Sequence, residues 1–295
     1  MRKILTPEGL FIYDRDTGLC FFTRDVRSKS WEKPLYAQIA LTEKCNLSCW
    51  FCYARSSPDK RLEWEMGDLK ELIDFLDSWG LLGISLGGGE PFLYTHLAEI
   101  AKYAWEKTGL DVTVTTNGAA ASETKIAEIE GCVSEVRVSI RRAEALPCLK
   151  KFIGRKFEVG VNLLLFRGGS GELDGIIEGA LRLGVSDFLL NSFRAVGGGE
   201  NMEPTAEDYA KLAEIIRRFS DRATFKVSGR VAAVLKGQVG HLVPFSGEAE
   251  GRIIAITVDK KIKLSSLSDV GFPFTSCGEI PRIYNNLVGG GLHEV

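Results

Sequence analysis

From residue 35 to about residue 220, short β-branched runs alternate with stretches of helical periodicity, and this alternation constrains the fold most. A strand that returns to its sheet through a helix runs parallel to its predecessor, so the pattern predicts βα units around a parallel sheet. The expected strands are 35–42, 83–86, 111–116, 135–140, 157–166 and 187–192. Leu69, Leu72, Ile73, Leu76 and Trp79 recur at helical spacing, and Gly80 stops that helix. Further helices are expected at 97–105, 123–129 and 173–183, with a weaker one at 146–152. A last one starts at Thr205, where Thr205-Ala206-Glu207-Asp208 reads as a capping box. Six units fit this stretch, whereas a closed eight-stranded barrel takes about 250 residues. The expected fold class is therefore α/β, an open partial (β/α)6 barrel over 35–220. An N-terminal hairpin extension precedes it at 1–34, with strands at 10–13 and 19–22. A small α+β extension follows at 221–295, with a second hairpin at 252–258 and 262–264.

Composition excludes several classes. Of the 295 residues, 45% are apolar and 26% charged, as in ordinary globular domains. A net charge of −2 exerts no general pull toward nucleic acid or an anionic membrane. No apolar run approaches the roughly 20 residues that span a bilayer. The start, Met1 to Pro7, lacks the apolar stretch of a signal peptide. Seven cysteines, an odd number with three in one short loop, argue against a disulfide scaffold and for a reducing, cytoplasmic setting.

Those three are Cys45, Cys49 and Cys52, spaced Cys-x3-Cys-x2-Cys directly after the first predicted strand. Structural zinc and the usual four-thiolate cluster each need four protein ligands. Three close thiolates therefore suggest a [4Fe–4S] cluster with one iron left open. The plainer reading is a zinc loop completed from a distance, for example by Cys20. With Phe51 before the last cysteine, the run resembles the Cys-x3-Cys-x-aromatic-Cys signature of the radical S-adenosylmethionine (SAM) superfamily. Membership implies that Cys45, Cys49 and Cys52 hold one cluster whose open iron is chelated by SAM. An electron then cleaves the sulfonium to a 5′-deoxyadenosyl radical that abstracts hydrogen from a substrate C–H bond.

Two further motifs strengthen the resemblance. Gly87-Gly88-Gly89-Glu90-Pro91 ends the second strand and is similar to the family's Gly-Gly-Glu-Pro motif, implying that Gly88, Gly89 and Glu90 help seat SAM. Pro91 biases Glu90 toward an extended backbone, which is expected to leave its carbonyl and side chain free to point away from the sheet. Thr115-Thr116-Asn117-Gly118 resembles the Thr-Asn-Gly of the molybdenum-cofactor cyclase and viperin branch, which would put Thr116 and Asn117 near the methionine moiety. On the same likeness, Phe51, Ser139 and Asn162 belong to the SAM site, and Arg141 is a candidate partner for the SAM carboxylate.

Strand parity adds an expectation about the lumen. If Ser139 faces inward, so do Arg137 and Arg141, while Val136, Val138 and Ile140 lie under helices. Arg137 then reads either as an anchor for an anionic substrate group or as half of a structural ion pair. The stretch 251–265 resembles a SPASM or twitch extension, but Glu248 or Ala249 and Ser265 stand where auxiliary-cluster cysteines are expected, and Cys277 alone cannot hold a cluster. One cluster per chain is expected, fed by a ferredoxin- or flavodoxin-type donor. The substrate is read as a peptide or a small molecule, without nucleic acid or membrane as partner. The alternatives are a viperin-like enzyme acting on a nucleotide and a catalytically silent metal-binding scaffold.

Overall fold

The computed structural model describes residues 2–6, 9–15, 19–24, 33–196, 202–240, 242 and 252–289. Three strands, β1 (Arg2–Thr6), β2 (Gly9–Asp14) and β3 (Leu19–Arg24), form a separate antiparallel meander, one strand larger than the expected hairpin. The βα units follow: β4 (Tyr36–Thr42), α1 (Met66–Trp79), β5 (Gly83–Gly88), α2 (Leu97–Lys107), β6 (Asp111–Thr116), α3 (Glu123–Ile129) and β7 (Glu135–Ser139). Then come β8 (Glu158–Leu165), α4 (Ser170–Arg182), β9 (Asp187–Ser192), α5 (Ala206–Phe219), β10 (Thr224–Val227) and α6 (Gly229–Val239). The chain closes with β11 (Ile253–Ile256), β12 (Lys261–Lys263), β13 (Phe272–Pro273) and α7 (Ile280–Val288).

The main sheet has ten strands in the order β10-β9-β8-β7-β6-β5-β4-β11-β12-β13. Strands β4 to β10 are parallel neighbours, so the six expected strands gain a seventh beyond residue 220. Strand β11 pairs parallel with β4, and β12 and β13 follow antiparallel. The C-terminal hairpin thus extends the sheet at its β4 edge, and the main sheet draws on both sides of residue 220. Among the described residues no pairing joins β10 to β13, so the barrel stays open.

Alternation positions the core. Ile84, Leu86, Val112, Val114, Val136, Val138, Val161 and Leu163 are completely buried beneath the helices, which answer with Leu69, Leu72, Ile73 and Leu76 on α1. Gly80 ends α1 at φ 91°, its N–H donating to the carbonyls of Leu76 and Asp77. Where a weak helix was expected at 146–152, a 3-10 helix runs from Ala143 to Lys151. Pro147 inside it lacks an N–H and cannot sustain an α-helical ladder. No helix among the described residues is long and apolar enough to cross a membrane.

The capping box at α5 is present, and Asp208 does more than cap. Its Oδ2 accepts from the Thr205 N–H (2.9 Å) and hydroxyl (2.8 Å), and its Oδ1 from the Gly168 N–H (3.0 Å) and Ser170 hydroxyl (3.3 Å). Burial pushes this carboxyl up, but the bonds from Thr205, Gly168 and Ser170 outweigh it and hold it below its ordinary value. A depressed carboxylate stabilises the fold above the unfolded-state value and loses that contribution as pH falls through the folded one. Asp208→Ala is expected to cost about 2–4 kcal/mol near neutral pH. The difference from wild type should shrink below about pH 4, as urea unfolding at both pH values would read.

Candidate functional site

The cysteine loop leaves the C-terminal end of β4 through a β-bulge between Ala40 and Thr42. Its base is tied to its surroundings by backbone bonds: Gly89 N–H to Thr42 O (2.7 Å), Glu90 N–H to Lys44 O (2.9 Å) and Cys45 N–H to Ser57 O (3.1 Å). Gly88 has φ 113°, and a Cβ there would stand 2.7 Å from Thr42 O; at Gly89 it would stand 2.2 Å from Lys44 O. Glycine is thus required where the Gly-Gly-Glu-Pro turn presses on the loop. The two motifs, 36 residues apart in the chain, form one structure.

Cys45 is buried, and Cys49 and Cys52 are half-buried. The Leu47 N–H donates to Cys45 Sγ and the Ser56 N–H to Cys52 Sγ, each at 3.4 Å. Burial pushes the Cys45 thiol up; the Leu47 N–H opposes this, while Glu90, Cys49 and Cys52 reinforce it. Burial also raises Cys49, with Arg141 pulling the other way. The Arg141 guanidinium, half-buried, lies 4.7 Å from the Phe51 ring centroid. Among the described residues no three His, Cys, Asp or Glu side chains gather on one point for a single metal ion. The Cys20 side chain lies outside the described residues. Its strand, β3, pairs with β2, whose Tyr13 packs on Leu35 and Leu82 at the opposite end of the barrel strands. Glu248 and Ala249 also lie outside the described residues. Cys277 sits in a 3-10 helix before α7, its thiol pushed up to about 11 by burial and by Glu71.

Glu90 has the extended backbone expected of it, and its side chain is completely buried. Its Oε1 accepts from the Thr116 hydroxyl (2.6 Å) and the Phe92 N–H (3.1 Å), its Oε2 from the Asn117 N–H (2.8 Å), and its carbonyl from Leu93 (3.0 Å). Burial raises its pKa against the pull of these bonds and of Lys125. Thr116 is equally committed, since its hydroxyl also accepts from the Gly118 N–H (2.9 Å). Glu90 therefore stitches the two turns together.

Ser139 ends β7, half-buried beside Asn162 in register. The Asn162 Oδ1 accepts from Arg137 Nε (2.9 Å), so this oxygen is engaged by a neighbour. Arg137 also pairs with Glu135 and, at 2.7 Å, with Asp187, which in turn holds Lys226 at 2.8 Å. Gly160 makes the room: a Cβ there would lie 2.7 Å from Arg137 Nη1. Of the two readings of Arg137, the structural ion pair is the one found. These partners open strands β7 and β9, at the floor of the barrel where residues serve stability.

Sequence reasoning missed an aromatic brace. The Trp50 ring, 47% exposed, stands 5.1 Å from Phe51, 5.9 Å from Phe166 and 5.5 Å from Phe193. Phe166 and Phe193 directly follow β8 and β9, so the loop leans across the mouth from β4 to the far strands. Aromatics placed directly after two strand ends were the available signal.

The radical SAM superfamily profile matches residues 39–212, more than half of the chain. GTP 3′,8-cyclase of Chlorobaculum tepidum is 25% identical over 228 residues, covering 68% of this chain and 69% of that protein. The antilisterial bacteriocin subtilosin biosynthesis protein AlbA of Bacillus subtilis is 27% identical over 219 residues, covering 66% and 49%. The chain thus spans about half to just over two thirds of these relatives. Among solved structures, Streptococcus suis SuiB bound to precursor peptide SuiA superposes with a TM-score of 0.71 at 16% identity, covering 88% of this chain and 67% of that one. Native anSMEcpe with bound AdoMet gives 0.61 at 14% identity, covering 80% and 76%. With its three-cysteine loop locked to a Gly-Gly-Glu-Pro turn at the mouth of an open parallel barrel, the chain belongs to the radical SAM superfamily, whose enzymes use a [4Fe–4S] cluster and S-adenosylmethionine.

Proposed function

We propose that this chain holds one [4Fe–4S] cluster through Cys45, Cys49 and Cys52, binds SAM beside it, and takes a hydrogen atom from a C–H bond of a peptide substrate. The carrying observation is the locked pair of motifs. Gly89 and Glu90 bond to the backbone at the base of the cysteine loop, so the thiols and the surface proposed for SAM keep a fixed relation. The donor set fits a cluster. Three thiols spread along one loop suit a cofactor that attaches each thiolate to a different iron, and their mutual repulsion favours a cationic core. When bound, cluster and SAM together supply a one-electron cleavage that yields a 5′-deoxyadenosyl radical.

The chain's own residues position and shield. Gly88 and Gly89 let the turn proposed to seat SAM pack directly on the cysteine loop, and Ser139 offers a hydroxyl at the mouth. Arg141, over Phe51 and near Cys49, is placed to pair with the SAM carboxylate. Phe51 and Trp50 cover the loop with apolar surface, which limits water around a reactive species. A ferredoxin- or flavodoxin-type protein is the proposed electron donor.

The peptide reading is supported by the likeness to SuiB, which covers 88% of the chain and so reaches well beyond the 39–212 core. A nucleotide-like substrate is the second reading, favoured by the cyclase relative. The test is anaerobic reconstitution of the full chain, iron analysis, then dithionite and SAM with detection of 5′-deoxyadenosine. About four irons per chain and slow SAM cleavage are expected. Zinc as the sole bound metal would overturn the proposal, and an inert brown protein would favour the scaffold.

A further inference from the structure

We infer that Asn117 is a positioning residue for the iron–sulfur cluster, holding Cys45 in place and raising the cluster's reduction potential, rather than a SAM ligand; this rests on the cluster reading above. A carboxamide offers two N–H donors and one carbonyl. The Asn117 Nδ2 donates to Asn46 Oδ1 at 2.9 Å and to Cys45 Sγ at 3.7 Å, a reach suited to the larger sulfur atom. Its Oδ1 accepts from the Ala119 N–H at 2.9 Å, which fixes which end of the amide faces the cysteine. Both donors are therefore committed to the cysteine loop, leaving none for a nucleoside or a methionine carboxylate.

The amide is also held from behind. The Asn117 N–H is bonded to the buried Glu90 carboxylate, which binds Thr116 and Phe92 as well. A chain of hydrogen bonds thus runs from the Gly-Gly-Glu-Pro turn through Glu90 and Asn117 to Cys45. Hydrogen bonds to ligand sulfur stabilise the extra negative charge of the reduced cluster and so raise its potential. Cys45 receives one such bond from the Leu47 backbone, which every substitution except proline leaves in place. The bond from Asn117 is the adjustable one.

The test is an EPR-monitored potentiometric titration of the reconstituted full chain without SAM, comparing wild type with Asn117→Ala and Asn117→Ser. Serine is too short to reach Cys45 but can still cap the turn. Both variants are expected to show a midpoint shifted to more negative potential, with SAM affinity changed less than threefold. A variant that fails to assemble the cluster while its apoprotein melts at the wild-type temperature also supports the inference. An unmoved midpoint overturns it, and a tenfold loss of SAM affinity with an unmoved midpoint returns Asn117 to the SAM site. Lost assembly with a lowered apoprotein melting temperature overturns it too, as a general structural role. Failure of the wild-type chain to assemble any cluster defeats the parent reading instead.

Discussion

Alanine in place of Cys45, Cys49 or Cys52 is expected to reduce iron after reconstitution from about four per chain to near zero. Loss of an outer-shell partner of a metal ligand typically costs about 10–100-fold in affinity or activity. Loss of a ligand itself should exceed this, leaving 5′-deoxyadenosine formation at background. The comparison set is internal. Cys132, Cys148 and Cys277 are half-buried, and Cys277 packs against the main core with a thiol held protonated up to about 11. Alanine at each of these three should leave the iron content unchanged. Iron retained by the Cys45, Cys49 and Cys52 variants but lost from a Cys277 variant would reverse the assignment.

The second large effect concerns a residue without a side chain. Gly89→Ala places a methyl group 2.2 Å from Lys44 O and 2.7 Å from Lys44 C, both backbone atoms that cannot swing aside. The Gly-Gly-Glu-Pro turn must then move away from the loop, breaking the bonds from the Gly89 and Glu90 N–H groups to Thr42 and Lys44. Overpacking of this kind costs about 1–3 kcal/mol, occasionally more. The two strained hydrogen bonds bring the expected loss to the upper end, a fall in Tm of roughly 5 °C. Gly87→Ala is the control for stability, because the nearest atom to its added methyl is Thr115 O at 3.9 Å. Differential scanning calorimetry of the two variants distinguishes a steric lock from a general aversion to side chains in this turn. Equal melting temperatures would remove the lock.

Local signals were legible. Periodicity located α1, Gly80 its end, and Thr205-Ala206-Glu207-Asp208 the start of α5, because each depends on residues within one or two turns. Strand β10 escaped notice, since four alternating residues are the shortest run that periodicity can register. The cysteine spacing pointed directly at the loop. The second job of Asp208 was hidden because Gly168 and Ser170 lie forty and thirty-eight residues upstream. The partners of Glu90 were hidden for the same reason. Its backbone bias follows from Pro91, but its partners Thr116 and Asn117 lie at the end of the next strand and just after it, which sequence spacing does not bring near. Arg137 shows the converse. Parity placed it in the lumen, yet only the register of β7, β8 and β9 reveals that Glu135, Asn162 and Asp187 are its partners.

The pairing of β11 with β4 sets an order of events during synthesis. Tyr36 is translated first, and its neighbour Ile253 leaves the ribosome more than two hundred residues later. Until then the strand that leads into the cysteine loop has one flank unsatisfied, a template for stray pairing with other chains. The region proposed for metal capture is thus completed only after residues 253–256 have been made. Nascent chains stalled before residue 253 should expose that flank and clump more readily than the released protein.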